Sequence, residues 1–253
     1  MNVQLWQIIL VTLYAGIISW ERVTLYTSIS MPVVAGFIEG CILGDPTTGL
    51  IIGGTLELMS LGVGSYGGAI TPDYPLAAMV ATPLAIMTGE VELMIPIAAT
   101  CAAVFSQCRV LCYYVCTFFN RGASKAVKDG DYKKFDVMVK LGIIPLFLWR
   151  GLPTFLALVF GADMVQGIVT ICPDWLLTGL KTAAGLLPAI GVAVLMKTLP
   201  VKDYIGYLVL GFVAASYFGT PMLGVALIGA ALAIIQYKKG NTLATNGGND
   251  YDE

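Results

Sequence analysis

Apolar residues fall into runs along the chain, separated by short polar stretches and by stretches rich in glycine and proline. The runs cover about residues 5–19, 31–43, 50–63, 75–88, 93–119, 141–160, 175–199, 204–218 and 222–237. A complete transmembrane helix needs roughly 20 mostly apolar residues, so the shorter runs indicate broken or re-entrant helices. They concentrate between residues 31 and 88. The pattern predicts an all-α integral membrane protein, a multi-span helical bundle with broken or re-entrant helices in residues 31–88.

Composition supports a membrane protein, because 57% of the 253 residues are apolar and 12% are charged. A soluble domain carries roughly 25% charged residues. The net charge of −2 gives no basic balance that would favour a nucleic acid. The chain has no histidine, so it lacks the side chain that most often shuttles protons or binds metals. We expect no metal and no cofactor, and chemistry that comes from carboxylates, amides or partner proteins.

The six cysteines mostly lie inside apolar runs, where free cysteine behaves as a small hydrophobic residue. Four of them, Cys101, Cys108, Cys112 and Cys116, follow helical spacing, which would also suit a metal or redox face. Because the sequence contains no CxxC pair, we favour the structural interpretation. Motifs of nucleotide hydrolases, serine hydrolases and zinc proteases are absent too, so we expect no catalytic residue in this chain by itself.

Basic residues cluster between residues 120 and 140, from Arg121 to Lys140. By the positive-inside rule this loop faces the cytoplasm. Lys238 and Lys239 place the polar end of the chain on the same side. We therefore predict a polytopic membrane domain at residues 1–239 and a disordered cytoplasmic tail at 240–253. The first apolar run lacks a basic flank before it and is interpreted as a retained span.

The segment from Val23 to Cys108 contains no lysine or arginine, yet it contains Glu39, Glu57 and four further acids. A carboxylate at the centre of a membrane helix costs roughly 2.5–3.5 kcal/mol and usually marks a substrate or ion path. Glu57 is the sharpest case, since its neighbours on both sides are apolar or small. It either accepts hydrogen bonds from a polyhydroxylated ligand or ties two helices together.

Asp73 lies between Pro72 and Pro75, in a segment that cannot be helical throughout. We predict that it caps the helix starting near Pro75, a role compatible with ligand contact. Asp45 is expected in a turn and cap, and Glu90 with Glu92 in a solvated external turn.

Ser65 and Tyr66 lie between glycines and offer a hydroxyl pair beside an aromatic ring, as sugar sites often do. A flexible polar loop is the alternative. Arg109 and Arg150 lie at or within apolar runs. Arg109 either snorkels to the membrane interface or pairs with an acid, and the sequence does not decide between the two.

The run from Gly44 to Gly62, GDPTTGLIIGGTLELMSLG, is followed by GAITPD at residues 68–73. This pattern closely resembles the membrane IIC subunit of the mannose/fructose/sorbose family of bacterial phosphotransferase systems. The resemblance implies a permease subunit in the bacterial cytoplasmic (inner) membrane that binds a hexose or hexosamine and moves it inward in an elevator-like step. It implies a IID membrane subunit, soluble IIA and IIB phosphocarriers fed by phosphoenolpyruvate, contact with membrane lipid, and a higher oligomer of IIC–IID pairs.

Carried over by position, Glu57 and Asp73 match acids that the family places at or near the sugar. We add Ser65, Tyr66 and Thr55 as candidate substrate-binding residues. Ser65 departs from the asparagine expected in mannose-type members, and residues 20–30 match poorly. These departures argue against mannose itself and leave sorbose, fructose, an amino sugar and an N-acetylated hexosamine open.

Two alternatives belong to other classes. In the first, the chain is an ion-coupled secondary transporter of a small polar solute, with Glu57 and Asp73 as proton or cation sites. In the second, it is a structural or receptor-like membrane subunit, for which Glu57→Gln would leave transport unchanged.

Overall fold

The computed structural model describes residues 4–25, 27–61, 63, 71–171 and 173–246, and all its regular elements there are helices. In chain order they are α1 (Leu5–Thr24), α2 (Pro32–Leu43), α3 (Pro46–Ser60), α4 (Tyr74–Thr88), α5 (Val91–Lys128), α6 (Tyr132–Leu141), α7 (Ile143–Ile171), α8 (Asp174–Thr198), α9 (Ile205–Ser216) and α10 (Met222–Asn246). The predicted all-α fold is confirmed. So is the prediction of short helices in residues 31–88, where α2 has 12 residues and α3 and α4 have 15 each.

Within the described residues, three helical segments are long and apolar enough to cross a membrane: Val91–Lys128, Tyr132–Gly161 and Asp174–Thr198. The first of these is far longer than a bilayer requires. At 1.5 Å per residue its 38 residues extend about 57 Å, against a hydrocarbon core of roughly 30 Å. Its basic end therefore projects beyond the apolar layer.

The chain divides into two compact units, Met1–Leu195 and Met196–Glu253. In the first unit, α4 is the central helix and packs against α2, α3, α5 and α7, while α1 lies along α7. Nearly all of α4 between Pro75 and Ala85 is buried, and its apolar side chains join those of α3 and α5 in the main core.

In the second unit, α9 and α10 pack against each other. Helix α10 continues to Asn246, beyond the boundary predicted at residue 239. The remainder of the predicted tail, 247–253, lies outside the described residues.

Glycines bring α2 and α3 into backbone contact. Gly36 and Gly40 on α2 face Gly49 and Gly53 on α3, and both pairs have the four-residue spacing that favours close helix packing. A Cβ atom added at Gly49 would meet the carbonyl oxygen of Gly36 and would lie 3.1 Å from the Cα of Gly40. No side chain larger than hydrogen fits between the two helices at this level.

The turn between α2 and α3 explains why the motif that runs from Gly44 to Gly62 begins with a glycine and an aspartate. Gly44 ends α2 with φ of 92°, a left-handed conformation that glycine adopts without steric cost. The carboxylate of Asp45 then caps α3 by accepting hydrogen bonds from the N–H of Thr48 at 3.1 Å and from its hydroxyl at 2.6 Å. The predicted turn and cap at Asp45 are confirmed.

We expect Gly49→Ala to destabilise the protein, because the added methyl group forces α2 and α3 apart. Overpacking of this kind costs roughly 1–3 kcal/mol. The measurement is the thermal unfolding temperature of the purified protein in detergent.

Gly54→Ala is the matched control in the same helix, since a Cβ atom there has no neighbour within 4 Å. It should unfold at the same temperature as the wild type or higher, because alanine is the better helix former. Equal unfolding temperatures for Gly49→Ala and the wild type would contradict the packing argument.

Candidate functional site

Glu57 lies in the last turn of α3 and faces the start of α2. Its Oε2 accepts a hydrogen bond from the backbone N–H of Val33 at 3.4 Å. Val33 belongs to the first turn of α2, where backbone N–H groups have no partner within the helix and the helix dipole favours a negative charge. The carboxylate thus ties α3 to α2, as one of the two sequence interpretations proposed.

The side chain of Glu57 has acceptor capacity left over. A carboxylate offers about four lone-pair positions, and the described residues supply one side-chain hydrogen bond, which is long. Glu57 is half-buried and lines a cavity of about 180 Å³. Its two proposed roles, tying the helices and meeting a ligand, are therefore compatible.

The cavity combines several polar groups with an aromatic ring. Besides Glu57 it is lined by Arg22, Ser28, Ser30, Ser60 and Tyr74. They come from the end of α1, the α1–α2 connection, the end of α3 and the start of α4. Hydroxyl groups both donate and accept, a guanidinium donates and a carboxylate accepts. This mixture matches a ligand that carries many hydroxyl groups.

One residue of the cavity wall has a strained backbone. Ser28 has φ of 69°, in the left-handed region that costs a non-glycine residue roughly 1–3 kcal/mol. Such conformations persist only where the surrounding structure stabilises them, and they cluster at ligand sites and active sites.

Asp73 occupies the centre of a buried polar network. Its Oδ1 accepts a hydrogen bond from the N–H of Leu76 at 3.0 Å, so it caps α4 as predicted. The same carboxylate pairs with Nη2 of Arg150 at 3.2 Å and with Nη1 of Arg109 at 3.6 Å. Asp73 and Arg150 are each 1% exposed.

The sequence left open whether Arg109 snorkels to the membrane interface or pairs with an acid. The structure shows that it pairs with an acid, as Arg150 does. Arg109 also donates from Nη2 to the carbonyl of Thr71 at 2.8 Å. The backbone N–H of Asp73 donates to the carbonyl of Ala102 at 2.9 Å. The non-helical segment Thr71–Asp73 is thereby held by α5 at both ends.

The other candidate residues fall in different places. Thr55 is absent from the residues that line the Glu57 cavity, and its hydroxyl donates to the carbonyl of Ile51 in its own helix at 2.6 Å. Asp73 itself does not line this cavity, although Pro72 and Tyr74 on either side of it do. Ser65 and Tyr66 lie outside the described residues.

Sequence reasoning missed Arg22 and the serines of the cavity. Arg22, Ser28 and Ser30 belong to the stretch 20–30, where the resemblance to the family is weak. The pairing of Asp73 left one signal in the sequence. The segment from Val23 to Cys108 contains no base, so a basic partner must come from outside it, and Arg109 and Arg150 lie at or within apolar runs there.

We expect Asp73→Asn to destabilise the protein strongly, because it leaves the buried guanidinium of Arg150 without a counter-charge. Breaking a buried ion pair on one side costs roughly 3–5 kcal/mol. The measurement is the yield and unfolding temperature of the purified protein.

Asp45→Asn is the control, since Asp45 also caps a helix but has no arginine partner among the described residues. Similar losses for the two variants would show that capping alone explains the role of Asp73.

Comparison with known proteins identifies the family. The family model described as "PTS system sorbose-specific iic component" matches residues 5–235. The chain is 29% identical over 245 residues to the PTS system sorbose-specific EIIC component of Lacticaseibacillus casei, which covers 96% of this chain and 88% of the relative. It is 27% identical over 237 residues to the PTS system mannose-specific EIIC component of Escherichia coli K12, which covers 93% and 89%.

Two solved structures are similar over 94% of this chain and 97% of their own chains. One, described as the structure of a membrane protein, has a TM-score of 0.82 at 25% identity. The other, the mannose transporter ManYZ in complex with microcin E492, has a TM-score of 0.60 at 26% identity. The predicted family is confirmed: this chain belongs to the sorbose-specific IIC family and is a sugar-translocating IIC subunit of a bacterial phosphotransferase system, located in the inner membrane.

Proposed function

We propose that this subunit binds a hexose or hexosamine in the Glu57 cavity and, together with a IID membrane subunit, delivers it to phosphorylated IIB. The observation that carries the proposal is the half-buried carboxylate of Glu57, which accepts a single long hydrogen bond from the described residues and lines a polar cavity. A hydrogen bond to a charged group contributes roughly 1.5–3 kcal/mol. Two such bonds to adjacent sugar hydroxyls would supply most of the affinity that a weakly bound transport substrate needs.

The hydroxyl-bearing residues of the cavity set the choice of sugar. The relatives named for sorbose and for mannose are almost equally similar to this chain, so overall identity does not select a substrate. Ser28, Ser30 and Ser60 can each pair with one sugar hydroxyl. A site built to pair a hydroxyl discriminates strongly against a ligand that lacks it, because the polar groups of the protein then stay unsatisfied.

Asp73 acts behind the sugar site in this proposal. Its carboxylate is buried and engaged by a helix cap and two arginines, so it positions Pro72 and Tyr74, which line the cavity. The ion-coupled alternative required both Glu57 and Asp73 as cation sites. With Asp73 already neutralised by arginine, that alternative loses one of its two acids.

The partners follow from the family and from the ManYZ neighbour. A IID subunit supplies the rest of the transporter, and the elevator-like step moves the sugar toward the phosphocarriers IIA and IIB. Large apolar side chains exposed along the helices, such as Phe118 and Phe212, suit contact with lipid or with IID, and IIC–IID pairs assemble into a higher oligomer. The basic residues at the end of α5 and in α6 support a cytoplasmic position for residues 120–140, on the side where IIB acts.

We expect Glu57→Gln to reduce sugar binding and uptake by about tenfold or more, and Glu57→Ala to abolish uptake, because each removes a charged acceptor. The measurement is uptake of radiolabelled sugar by cells that express the variant with its partner subunits. The glutamine side chain retains an oxygen that can accept from Val33, so Glu57→Gln separates ligand binding from the tie between helices.

Glu92→Gln is the matched control, because Glu92 is exposed at the start of α5 and does not line the cavity. Its uptake should equal that of the wild type. Wild-type uptake by a well-expressed Glu57→Gln variant would favour the structural or receptor-like alternative.

The substrate is tested with membranes that contain this chain and IID, supplied with IIA, IIB and phosphoenolpyruvate and with a panel of hexoses and hexosamines. We expect one sugar or a small group of sugars to be phosphorylated, and the product to disappear when this chain is omitted. Absence of product from every sugar, with both membrane subunits folded, would contradict the proposed function. Uptake driven by membrane potential alone would support the ion-coupled alternative.

A further inference from the structure

A second cavity lies beside the first and is dominated by arginine. It has a volume of about 220 Å³, and its polar lining includes Ser19, Arg22, Arg109, Tyr113 and Arg150, with the ring of Trp149. The three guanidinium groups come from α1, α5 and α7. We call this space the arginine cavity.

The positive charge of the arginine cavity is only partly offset. Asp73 neutralises one of the three guanidinium groups, since it pairs with both Arg109 and Arg150. Arg22 has no ion pair among the described residues. Glu21, its neighbour in α1, directs Oε1 to the N–H and hydroxyl of Thr27 and does not line the cavity. Three guanidinium groups therefore share one ion-paired carboxylate in this cavity, and a further acid, Glu57, lines the adjoining cavity together with Arg22.

Arg150 also has hydrogen-bond donors left over. It is 1% exposed, and within the part of the chain that the structure describes, its Nε and Nη1 have no partner. A buried donor without a partner costs free energy, more so when it is charged. Stacking on Trp149, with the guanidinium carbon 5.1 Å from the ring centroid, holds the planar group in place. A guanidinium group carries a planar fork of donors that matches two oxygens of a phosphate group.

The two cavities are neighbours. Arg22 lines both of them. Arg109 of the arginine cavity donates to the carbonyl of Thr71, which lines the Glu57 cavity. A ligand that fills the Glu57 cavity therefore has one end close to the guanidinium groups.

We propose that the arginine cavity binds the phosphoryl group of a sugar phosphate, a phosphate monoester dianion, while the sugar ring occupies the Glu57 cavity. This inference rests on the proposed function. The dianion supplies counter-charge to the three arginines and accepts hydrogen bonds from guanidinium groups that line the cavity. The subunit thus holds the product of phosphorylation before its release, and it binds the phosphorylated sugar more tightly than the free sugar.

The first test uses radiolabelled orthophosphate and the full-length chain with its IID subunit, in nanodiscs of phosphatidylcholine. We expect saturable binding that Arg22→Gln and Arg109→Gln each weaken by about tenfold or more, because each removes a charged donor. Arg22→Gln breaks no described ion pair, so it tests binding even if Arg109→Gln lowers stability. Arg121→Gln is the control on an exposed face of α5 and should bind like the wild type.

The second test adds unlabelled competitors. Hexose 6-phosphates should displace orthophosphate at concentrations at least about tenfold below those of orthophosphate itself, and the free hexoses should not displace it. Orthophosphate binding that both arginine variants leave unchanged, or no binding in the wild type, would overturn the proposal. So would hexose phosphates that compete no better than orthophosphate.

A lipid headgroup carries the same phosphate chemistry, so the third test repeats the measurement in nanodiscs that contain phosphatidylglycerol. Unchanged orthophosphate binding supports the sugar phosphate, whereas loss of binding assigns the cavity to an anionic lipid and overturns the proposal. Orthophosphate binding needs no sugar. Its loss in the arginine variants therefore remains informative even if Glu57 variants transport sugar normally, which would contradict the proposed function alone.

Discussion

The carboxylate of Asp73 holds together the parts of the structure that form both cavities. It caps α4 and pairs with arginines from α5 and α7, so one acid joins three helices. Polar backbone at membrane depth must be satisfied by protein, because lipid offers no hydrogen bonds. In the segment Thr71–Asp73, α5 supplies both partners: Arg109 donates to the carbonyl of Thr71, and Ala102 accepts from the N–H of Asp73. The short helix α4 can therefore begin in the interior of the protein.

Close backbone packing places Glu57 where it meets α2. Gly53 lies one turn before Glu57, and a Cβ atom there would be 2.9 Å from the Cα of Val33. Any larger residue at position 53 would push the start of α2 away from the carboxylate. On another side of α3, a Cβ atom at Gly191 of α8 would lie 2.7 Å from the Cα of Met59. Glycine contacts thus fix the position of the end of α3, which forms part of the wall of the Glu57 cavity.

Local rules predicted much of the fold and singled out one acid of the candidate site. Run lengths gave the short helices, proline and aspartate gave the caps of α3 and α4, and an isolated acid in an apolar run gave Glu57. Partners far apart in sequence left no comparable pattern. Asp73 and Arg150 are 77 positions apart, and nothing near either residue indicates which helix faces which. Thr55 precedes Glu57 by two residues in α3, and two residues of an α-helix turn a side chain through about 200°, so the two side chains point in different directions.

The charges of the two cavities also determine how a sugar phosphate can lie in them. The hydroxyl groups of a neutral sugar can donate hydrogen bonds to the carboxylate of Glu57, whereas a phosphate group beside that carboxylate would suffer like-charge repulsion in a medium of low dielectric constant. The guanidinium groups of the arginine cavity favour a phosphate group over a neutral sugar ring. A phosphorylated sugar therefore has one favourable orientation, with its ring hydroxyls toward Glu57 and its phosphate toward Arg22, Arg109 and Arg150. In the proposed arrangement the phosphate lies among the three arginines and the sugar ring beside Glu57, so one subunit could hold both the neutral substrate and the anionic product without rebuilding the site between them.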